Sequence, residues 1–150
     1  MSSPPVLSVC IPTYNRPDML ERALRSVTDG PRPPAGEVEI VVSDNSTDER
    51  SRHLSTSLLG GWDGPTQYVL NRPGVGAEPN FNRCLELATG TWVLILHDDD
   101  YLLRGVEPLL KAIRTASDGV RVQLFGVQVV DQHERVIKRQ TFRAESRLTP

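Results

Sequence analysis

Short apolar runs alternate with helix-like segments along most of the chain. Strands are predicted at residues 6–11, 37–43, 66–70 and 92–96, where β-branched and other apolar residues are concentrated. The segments after the first, third and fourth of these runs carry apolar residues at the i, i+3, i+4, i+7 spacing of one helix face. The pattern therefore predicts a regular alternation of strands and helices.

The predicted helices also carry signals at their ends. The first helix starts near Pro17, and the second opens at residues 46–49, which have the spacing of a capping box, and runs to about Leu59. The third helix has Pro79 in its first turn and Gly90 just past its end. The apolar stripes of the first, third and fourth helices are Leu20, Ala23, Leu24 and Val27; Phe81, Cys84, Leu85 and Ala88; and Val106, Leu109, Leu110 and Ile113.

This order of elements predicts one α/β domain over residues 1–150. Four βα repeats favour a mostly parallel, Rossmann-like sheet with helices on both faces. Two further strands are predicted at residues 120–130 and 135–142, joined by the turn-like sequence DQHE. The length of 150 residues fits a single domain, and no linker is recognisable.

Composition narrows the class of protein and its partners. The net charge is -2 and the basic residues form no dense stripe, which argues against a nucleic-acid partner. Cys10 and Cys84 fall in apolar segments, where we expect free, buried thiols. The first residues lack the features of a signal peptide, and the longest apolar run is far below the ~20 residues of a membrane span. We therefore expect a cytoplasmic protein without a transmembrane segment, and leave peripheral membrane contact open.

A polar loop follows each predicted strand: PTYNRP at residues 12–17, SDNSTD at 43–48, NRPGVGAEPN at 71–80 and HDDD at 97–100. Open parallel sheets bind ligands at the carboxyl ends of their strands, so all four loops are expected on one rim. Each of the first three also has a purely structural interpretation as a turn, helix entry or cap. Gly74 and Gly76 resemble the start of a dinucleotide fingerprint, but Pro79 occupies its third glycine position, so a turn is favoured.

The three consecutive aspartates are harder to explain by structure alone. Asp98, Asp99 and Asp100 directly follow a strand that we expect to be buried on both sides. Two carboxylates about 5 Å apart repel by about 3 kcal/mol at an effective dielectric constant near 20, so a cation is expected to offset the repulsion. Hard oxygen ligands without nearby cysteines suit Mg²⁺ or Mn²⁺, with the remaining positions left for water and phosphate oxygens.

Taken together, the four loops resemble the nucleotide-binding half of a family 2 glycosyltransferase with the A-type glycosyltransferase fold. The similarity runs over residues 6–110, in order and with suitable spacing. It implies that Pro12, Thr13 and Tyr14 line the base and ribose pocket, and that Asp44 accepts a hydrogen bond from the base imide, usually of uracil. The resemblance also places Arg72 and Asn80 near the nucleotide or its phosphates. It implies that Asp98 and Asp99 contact the nucleotide, and that Asp98 and Asp100 bind the metal, with Asp100 a direct ligand.

The chain departs from the family pattern at two points. Many members have aspartate where this chain has His97, so the register of the carboxylates is ambiguous by one position; alternatively, His97 packs beneath the site on the face opposite Asp98. The family's catalytic base and acceptor pocket come from a second half of the domain. The later acidic residues, which match no position of that base, are Glu107, Asp118, Asp131, Glu134 and Glu145. We therefore expect a donor-binding fragment of a longer transferase, with the base beyond Pro150 and the acceptor-binding half absent.

By this resemblance, the complete enzyme transfers a sugar from a nucleoside-diphosphate sugar, with a UDP-sugar favoured, to a hydroxyl group of a carbohydrate or glycoconjugate acceptor. The reaction is expected to need Mn²⁺ or Mg²⁺ and to invert the anomeric centre, in a bacterial-type role in polysaccharide biosynthesis. A nucleotidyltransferase that makes sugar nucleotides is one alternative, although the first loop is not the glycine-rich, basic phosphate loop of that class. A non-catalytic nucleotide- or protein-binding module is the other.

Overall fold

The computed structural model describes residues 3–141. The chain divides into two compact units between Arg114 and Thr115. Within the described range, no helix has the length and apolar character needed to cross a membrane. In chain order the elements are β1 (Leu7–Thr13), α1 (Pro17–Thr28), β2 (Val38–Asp44), α2 (Arg50–Leu59), β3 (Thr66–Leu70), α3 (Ala77–Leu87), β4 (Trp92–Ile95), α4 (Glu107–Arg114), β5 (Val127–Val130) and β6 (Val136–Gln140). The predicted alternation of strands and helices is confirmed through α4.

The first four strands form one parallel sheet in the order β3-β2-β1-β4. Leu7 in β1 lies opposite Val38 in β2 and Trp92 in β4, and the pairing of β1 with β2 continues to Thr13 opposite Asp44. β1 and β2 therefore end together at the same edge of the sheet. The predicted α/β class with a mostly parallel sheet is confirmed.

Alternate residues of the central strands face opposite sides of the sheet, as the pleat requires. The larger core contains every second residue of β1 from Leu7 to Ile11, together with apolar side chains of α1, α2 and α4. On the other face, Cys10 packs with Val41 and with Cys84 of α3. Both cysteines are buried and free, as expected. Helices therefore cover both faces of the sheet.

β4 differs from the prediction in length and surroundings. It ends at Ile95 and lies at the edge of the sheet, where its pairing partner within residues 3–141 is β1 alone. Val93 is accordingly 43% exposed. The prediction of a strand buried on both sides was wrong, because a short apolar run does not reveal whether the strand is central or at an edge.

α3 is rotated relative to its predicted apolar stripe. Its buried residues are Asn80 and Cys84, whereas Leu85 is 49% exposed. The predicted burial of Leu85 was wrong. The helix packs against β1 and β2, and the hydroxyl of Ser43 at the end of β2 donates a hydrogen bond to Asn80. The buried face of α3 therefore includes a polar residue, Asn80, which lies outside the predicted apolar stripe.

α2 begins later than the capping-box spacing predicts. The helix starts at Arg50, and Glu49, at the N-cap, makes no side-chain capping hydrogen bond with any described residue. The hydroxyl of Ser46 instead accepts the N–H of Asn15 (2.8 Å). The predicted capping box was wrong, because Ser46 holds the first loop rather than the start of a helix.

A buried carboxylate lies near the amino ends of the strands, away from the polar loops. Glu39 of β2 is 1% exposed. It accepts hydrogen bonds from the hydroxyl of Ser8, from the side chain of Gln67 (2.9 Å), and from the N–H and hydroxyl of Thr89 (2.8 and 3.0 Å). Burial alone would raise the pKa of Glu39, but these hydrogen bonds outweigh it and hold the pKa below its usual range. Glu39 thus links β2 to β1, to β3 and to the loop before β4.

The unit that follows Arg114 contains an antiparallel hairpin of β5 and β6, with Val127 opposite Gln140. The carboxylate of Asp131 accepts the backbone N–H groups of His133 (2.8 Å) and Arg135 (3.0 Å) in the connecting turn. The two strands predicted here are present but shorter than expected, and they form a separate two-stranded sheet. Residue 142, at the predicted end of the last strand, lies outside the described residues.

Candidate functional site

A pocket of about 380 Å³ opens at the carboxyl ends of the strands of the first unit. Each of the four polar loops contributes to its lining, as the parallel topology predicts. The predicted site residues that line it are Pro12, Thr13, Tyr14, Asn80 and Asp98. The predicted site residues outside its lining are Asp44, Arg72, Asp99 and Asp100.

The first loop presents Tyr14 at the pocket with 56% of its surface exposed. The next residue, Asn15, has a φ of 52°, in the left-handed region that asparagine tolerates better than most residues. The side-chain oxygen of Asn15 accepts the N–H of Thr47 (2.9 Å), and its own N–H is donated to Ser46. The second loop therefore holds the first one, so that Tyr14 stands out as an aromatic surface.

Asp98 is the buried carboxylate of the aspartate triplet. Residues 97–100 form a turn after β4, closed by the N–H of Asp100, which donates to the carbonyl of His97 (3.0 Å). Asp98 lies in this turn and is 1% exposed. Its Oδ2 accepts the hydroxyl of Thr13 at the end of β1 (2.7 Å). The side chain is therefore fixed between the ends of two neighbouring strands.

The positive charge beside the triplet comes from Arg16. Its Nη2 lies 2.7 Å from Oδ1 of Asp98, and its Nη1 lies 3.4 Å from Oδ2 of Asp99. Arg22 donates a hydrogen bond to the carbonyl of Asp99 (3.2 Å), and its guanidinium lies over the ring of Tyr101. A guanidinium thus lies beside two of the three carboxylates, and the divalent ion expected at the triplet stays a prediction. The sequence signal for Arg16 is a basic residue in the loop after the first strand, and no site role was assigned to it.

His97 lies on the pocket side of the turn. The side chain is exposed, lines the pocket together with Asp98, and meets Phe81 of α3 edge to face, with 5.1 Å between ring centroids. The alternative in which His97 packs beneath the site was wrong, because β4 ends at Ile95 and strand alternation does not continue into the turn. Phe81 and His97 thus form an aromatic pair in the lining, and neither was assigned a site role from the sequence.

Asp44 supports the rim from below. It is fully buried, its Oδ1 accepts the N–H of Ser46 (2.7 Å), and its Oδ2 accepts the hydroxyl of Tyr68. Burial, together with the nearby Asp44 carboxylate, raises the pKa of Tyr68 well above its ordinary value, so the phenol stays protonated and donates. Asn45, which follows Asp44, lines the pocket. Direct contact between Asp44 and a nucleobase stays a prediction.

The remaining predicted residues surround the pocket. Arg72 forms an ion pair with Glu49 before α2, and both side chains are partly exposed. Asp99 and Asp100 are exposed on the turn that carries Asp98. The roles expected of these residues at the phosphates and the metal therefore stay predictions.

An asparagine cluster links the loops beneath the pocket. The side-chain NH₂ group of Asn71 donates to Ser43, Asn45 and Asn80, with distances of 3.0 to 3.1 Å. Asn80 also accepts the hydroxyl of Ser43 (2.7 Å) and donates to the carbonyl of Thr13 (3.2 Å). The cluster joins three of the four loops. Sequence reasoning identified Asn80 alone, although the repeated asparagines in the second and third loops were a usable signal.

Replacing Asn80 with alanine is expected to lower the free energy of unfolding by about 2 kcal/mol, because buried polar groups of the cluster lose their partners. Asn82→Ala is the matched control, since Asn82 lies on the exposed side of the same helix and should change stability by less than about 0.5 kcal/mol. Urea denaturation of both variants measures the difference. Equal losses in the two variants would contradict a stabilising role for the cluster.

The residues at the aspartate turn fit a metal ion whose remaining coordination positions are filled by a bound ligand. Among residues 3–141, no three His, Cys, Asp or Glu side chains are placed to hold a metal ion by themselves. Mg²⁺ bound with phosphorylated substrates commonly uses one or two carboxylates, and carboxylates suit Mn²⁺ equally. Oδ1 of Asp98 is buried and has no aligned hydrogen-bond donor from the described residues. Asp98 could therefore supply one ligand, with Asp99 or Asp100 supplying a second.

The sequence matches the family model described as Glycosyl transferase family 2 over residues 8–149. The chain belongs to glycosyl transferase family 2. This match covers more of the chain than the similarity inferred from the loops, and it confirms the family to which those loops pointed.

Relatives in family 2 include proteins of known and unknown activity. An uncharacterized protein of Mycobacterium tuberculosis is 37% identical over 101 residues, which cover 67% of this chain and 30% of that protein. The GalNAc(5)-diNAcBac-PP-undecaprenol beta-1,3-glucosyltransferase of Campylobacter jejuni is 31% identical over 135 residues, which cover 89% of this chain and 41% of that protein. The chain therefore spans less than half the length of these relatives.

Solved structures share the fold of this family 2 chain. The crystal structure of S. aureus TarS 1-349 has a TM-score of 0.57 and 28% identity, over 72% of this chain and 31% of that one. The mannosyltransferase PcManGT from Pyrobaculum calidifontis, solved in complex with GDP-Man and Mn²⁺, has a TM-score of 0.65 and 23% identity, over 87% of this chain and 37% of that one. The A-type glycosyltransferase fold expected from the sequence is confirmed.

Proposed function

We propose that this family 2 chain forms the donor-binding part of a glycosyltransferase that uses a nucleoside-diphosphate sugar, with a UDP-sugar favoured. The observation that carries the proposal is the pocket at the strand ends, which combines an exposed aromatic ring, Tyr14, with a buried carboxylate, Asp98. A nucleoside diphosphate has a flat base at one end and a cation-binding diphosphate at the other. The lining therefore offers an aromatic surface to the base and, through a cation held at Asp98, a site for the diphosphate.

Each lining residue has a specific role in this proposal. Tyr14 stacks on the base, and Pro12 and Thr13 flank the base and ribose. Asp98, held by the hydroxyl of Thr13, presents its Oδ1 at the diphosphate end. Asn80 fixes the end of β1 through the carbonyl of Thr13. A divalent cation, when bound, would neutralise charge that develops on the leaving diphosphate, a Lewis-acid role.

The complete reaction is proposed as an inverting transfer to a carbohydrate or glycoconjugate hydroxyl. A base removes the proton of the acceptor hydroxyl while this oxygen attacks the anomeric carbon and the nucleoside diphosphate leaves. Glu107 is paired with Arg114 and does not line the pocket. We place the catalytic base and the acceptor pocket in parts of the relatives that this chain does not match, and expect donor binding with little transfer. A cytoplasmic location and a role in polysaccharide biosynthesis stay predictions.

Titration calorimetry with UDP is expected to show binding that is at least about tenfold tighter with Mn²⁺ than with EDTA, a difference of about 1.4 kcal/mol. The physical reason is that a cation held by Asp98 screens the diphosphate from the carboxylates of the turn. GDP provides a second arm, because PcManGT was solved with GDP-Man. Tighter binding of GDP than of UDP would show that guanine, rather than uracil, is the favoured base of the donor.

Tyr14 supplies the matched variants for this titration. Tyr14→Ala is expected to weaken UDP binding by roughly tenfold, since stacking of a base on an aromatic ring contributes about 1–3 kcal/mol. Tyr14→Phe keeps the ring and should bind as the unmodified chain does. If a folded sample binds neither nucleotide with or without Mn²⁺, the proposed function is wrong.

A further inference from the structure

Arg16 stands between the pocket and the aspartate turn. It occupies the N-cap position of α1, where its side chain makes no capping hydrogen bond within the described residues. The side chain is 47% exposed and lines the pocket. Its guanidinium is therefore held by the carboxylates of the turn and not by the helix that it precedes.

The guanidinium takes the oxygen that a metal ion needs. Oδ2 of Asp98 already accepts the hydroxyl of Thr13, which leaves Oδ1 as the oxygen without an aligned donor from the described residues. Nη2 of Arg16 lies 2.7 Å from this Oδ1. A Mg²⁺ or Mn²⁺ ion binds a carboxylate oxygen at about 2.1 Å. Two cations held at this one oxygen would repel each other.

The second contact of Arg16 also sets its guanidinium in competition with a metal ion. Nη1 lies 3.4 Å from Oδ2 of Asp99, another carboxylate of the proposed diphosphate end. For a metal ion to bind these carboxylates, Arg16 must move its side chain away. With about half of that side chain exposed, the move requires no rearrangement of the core.

We propose that Arg16 competes with a divalent cation for Oδ1 of Asp98 and transfers to the diphosphate of the donor when the cation binds. This inference rests on the proposed function, because it assumes that a nucleoside diphosphate enters the pocket. The planar guanidinium of arginine matches phosphate oxygens in a two-pronged arrangement, so the departing side chain gains a new anionic partner in the same pocket. Binding of the cation and of the nucleotide are then coupled through one side chain.

Mn²⁺ alone, without nucleotide, is the probe that isolates the competition. Arg16→Gln is expected to bind Mn²⁺ about tenfold more tightly than the unmodified chain, a typical size for coupling between two ligands. Arg16→Lys keeps the charge but not the two-pronged contact, so its affinity should lie between the two. Arg25→Gln is the matched control, because Arg25 lies in the same helix and pairs with Glu21 rather than with the turn. Electron paramagnetic resonance of free Mn²⁺ measures all four proteins, and thermal melts check that each is folded.

UDP then tests the transfer of Arg16. In the unmodified chain UDP should increase the affinity for Mn²⁺ more than it does in Arg16→Gln, since only the former has an arginine to release. Equal Mn²⁺ affinities for the unmodified chain and Arg16→Gln, with Mn²⁺-dependent UDP binding intact, overturn this inference and leave the proposed function standing. Tighter Mn²⁺ binding by Arg16→Gln without any binding of UDP or GDP supports the competition and refutes the proposed function. If no variant binds Mn²⁺ in the absence of nucleotide, the competition is wrong, and the nucleotide titrations alone decide the proposed function.

Discussion

Asp98→Asn is expected to abolish the gain in UDP affinity that Mn²⁺ provides, a loss of at least about tenfold in metal-dependent binding. Loss of a partner outside the ligand sphere already costs about 10–100-fold, and Asp98 is proposed to contact the ion itself. Asparagine keeps the size of the side chain and can still accept the hydroxyl of Thr13. The variant therefore removes the charge with little change of shape, and calorimetry with and without Mn²⁺ measures the effect.

The other two aspartates of the turn provide the controls. The D-x-D spacing assigns the second metal ligand to Asp100, whereas the contact of Arg16 points to Asp99. The single variants Asp99→Asn and Asp100→Asn distinguish these assignments, because the true second ligand should show the second-largest loss. Unchanged Mn²⁺ dependence in Asp98→Asn would remove Asp98 from the metal site.

Glu39→Ala is expected to lower the free energy of unfolding by about 4 kcal/mol, because one buried and three part-buried hydrogen bonds to its carboxylate are lost. The donors are the hydroxyl of Ser8, the side chain of Gln67, and the N–H and hydroxyl of Thr89. For a chain of this size the melting temperature should fall by about 10 °C. Chemical and thermal denaturation at neutral pH test the expectation.

Glu37→Ala is the matched control for this variant. Glu37 precedes the same strand but pairs with Arg114 at the surface, and exposed pairs contribute about 0.2–1 kcal/mol. A loss in Glu37→Ala as large as that in Glu39→Ala would show that the buried hydrogen bonds of Glu39 are not the cause.

The stabilisation by Glu39 should depend on pH in a defined direction. Its pKa in the folded chain lies below the ordinary value of 4.5, because its hydrogen bonds outweigh the opposing effect of burial. The folded state then favours the ionised form, so this stabilisation is complete above pH 4.5 and is lost as the pH falls through the lower folded pKa. The stability difference between the unmodified chain and Glu39→Ala should therefore shrink in acid. A difference that grows below pH 4.5 would contradict the direction of the shift.

Local periodicity alone determined the order of elements and the fold class of this chain. The first four strands and the helices α1, α3 and α4 lie where apolar spacing predicts them, because each pattern depends on residues only a few positions apart. The parallel topology then follows from the βα repeats, and it implies that the four polar loops share one rim. For the same reason the sequence by itself is enough to assign Pro12, Thr13, Tyr14, Asn80 and Asp98 to this rim.

Tertiary structure decided which partner each polar residue has. The contacts of Asp98 with Thr13 and Arg16, and those of Glu39 with Ser8 and Thr89, join residues that are far apart in the chain. Such pairs depend on β1 lying between β2 and β4, which places the ends of distant strands side by side.

The errors in the prediction have the same origin. β4 has the apolar composition of a central strand but lies at an edge, and α3 buries Asn80 in place of Leu85. In each case the surroundings are set by elements elsewhere in the sequence. The pattern along the sequence therefore specified the segments and the rim. The three-dimensional packing placed the guanidinium of Arg16 beside the aspartates.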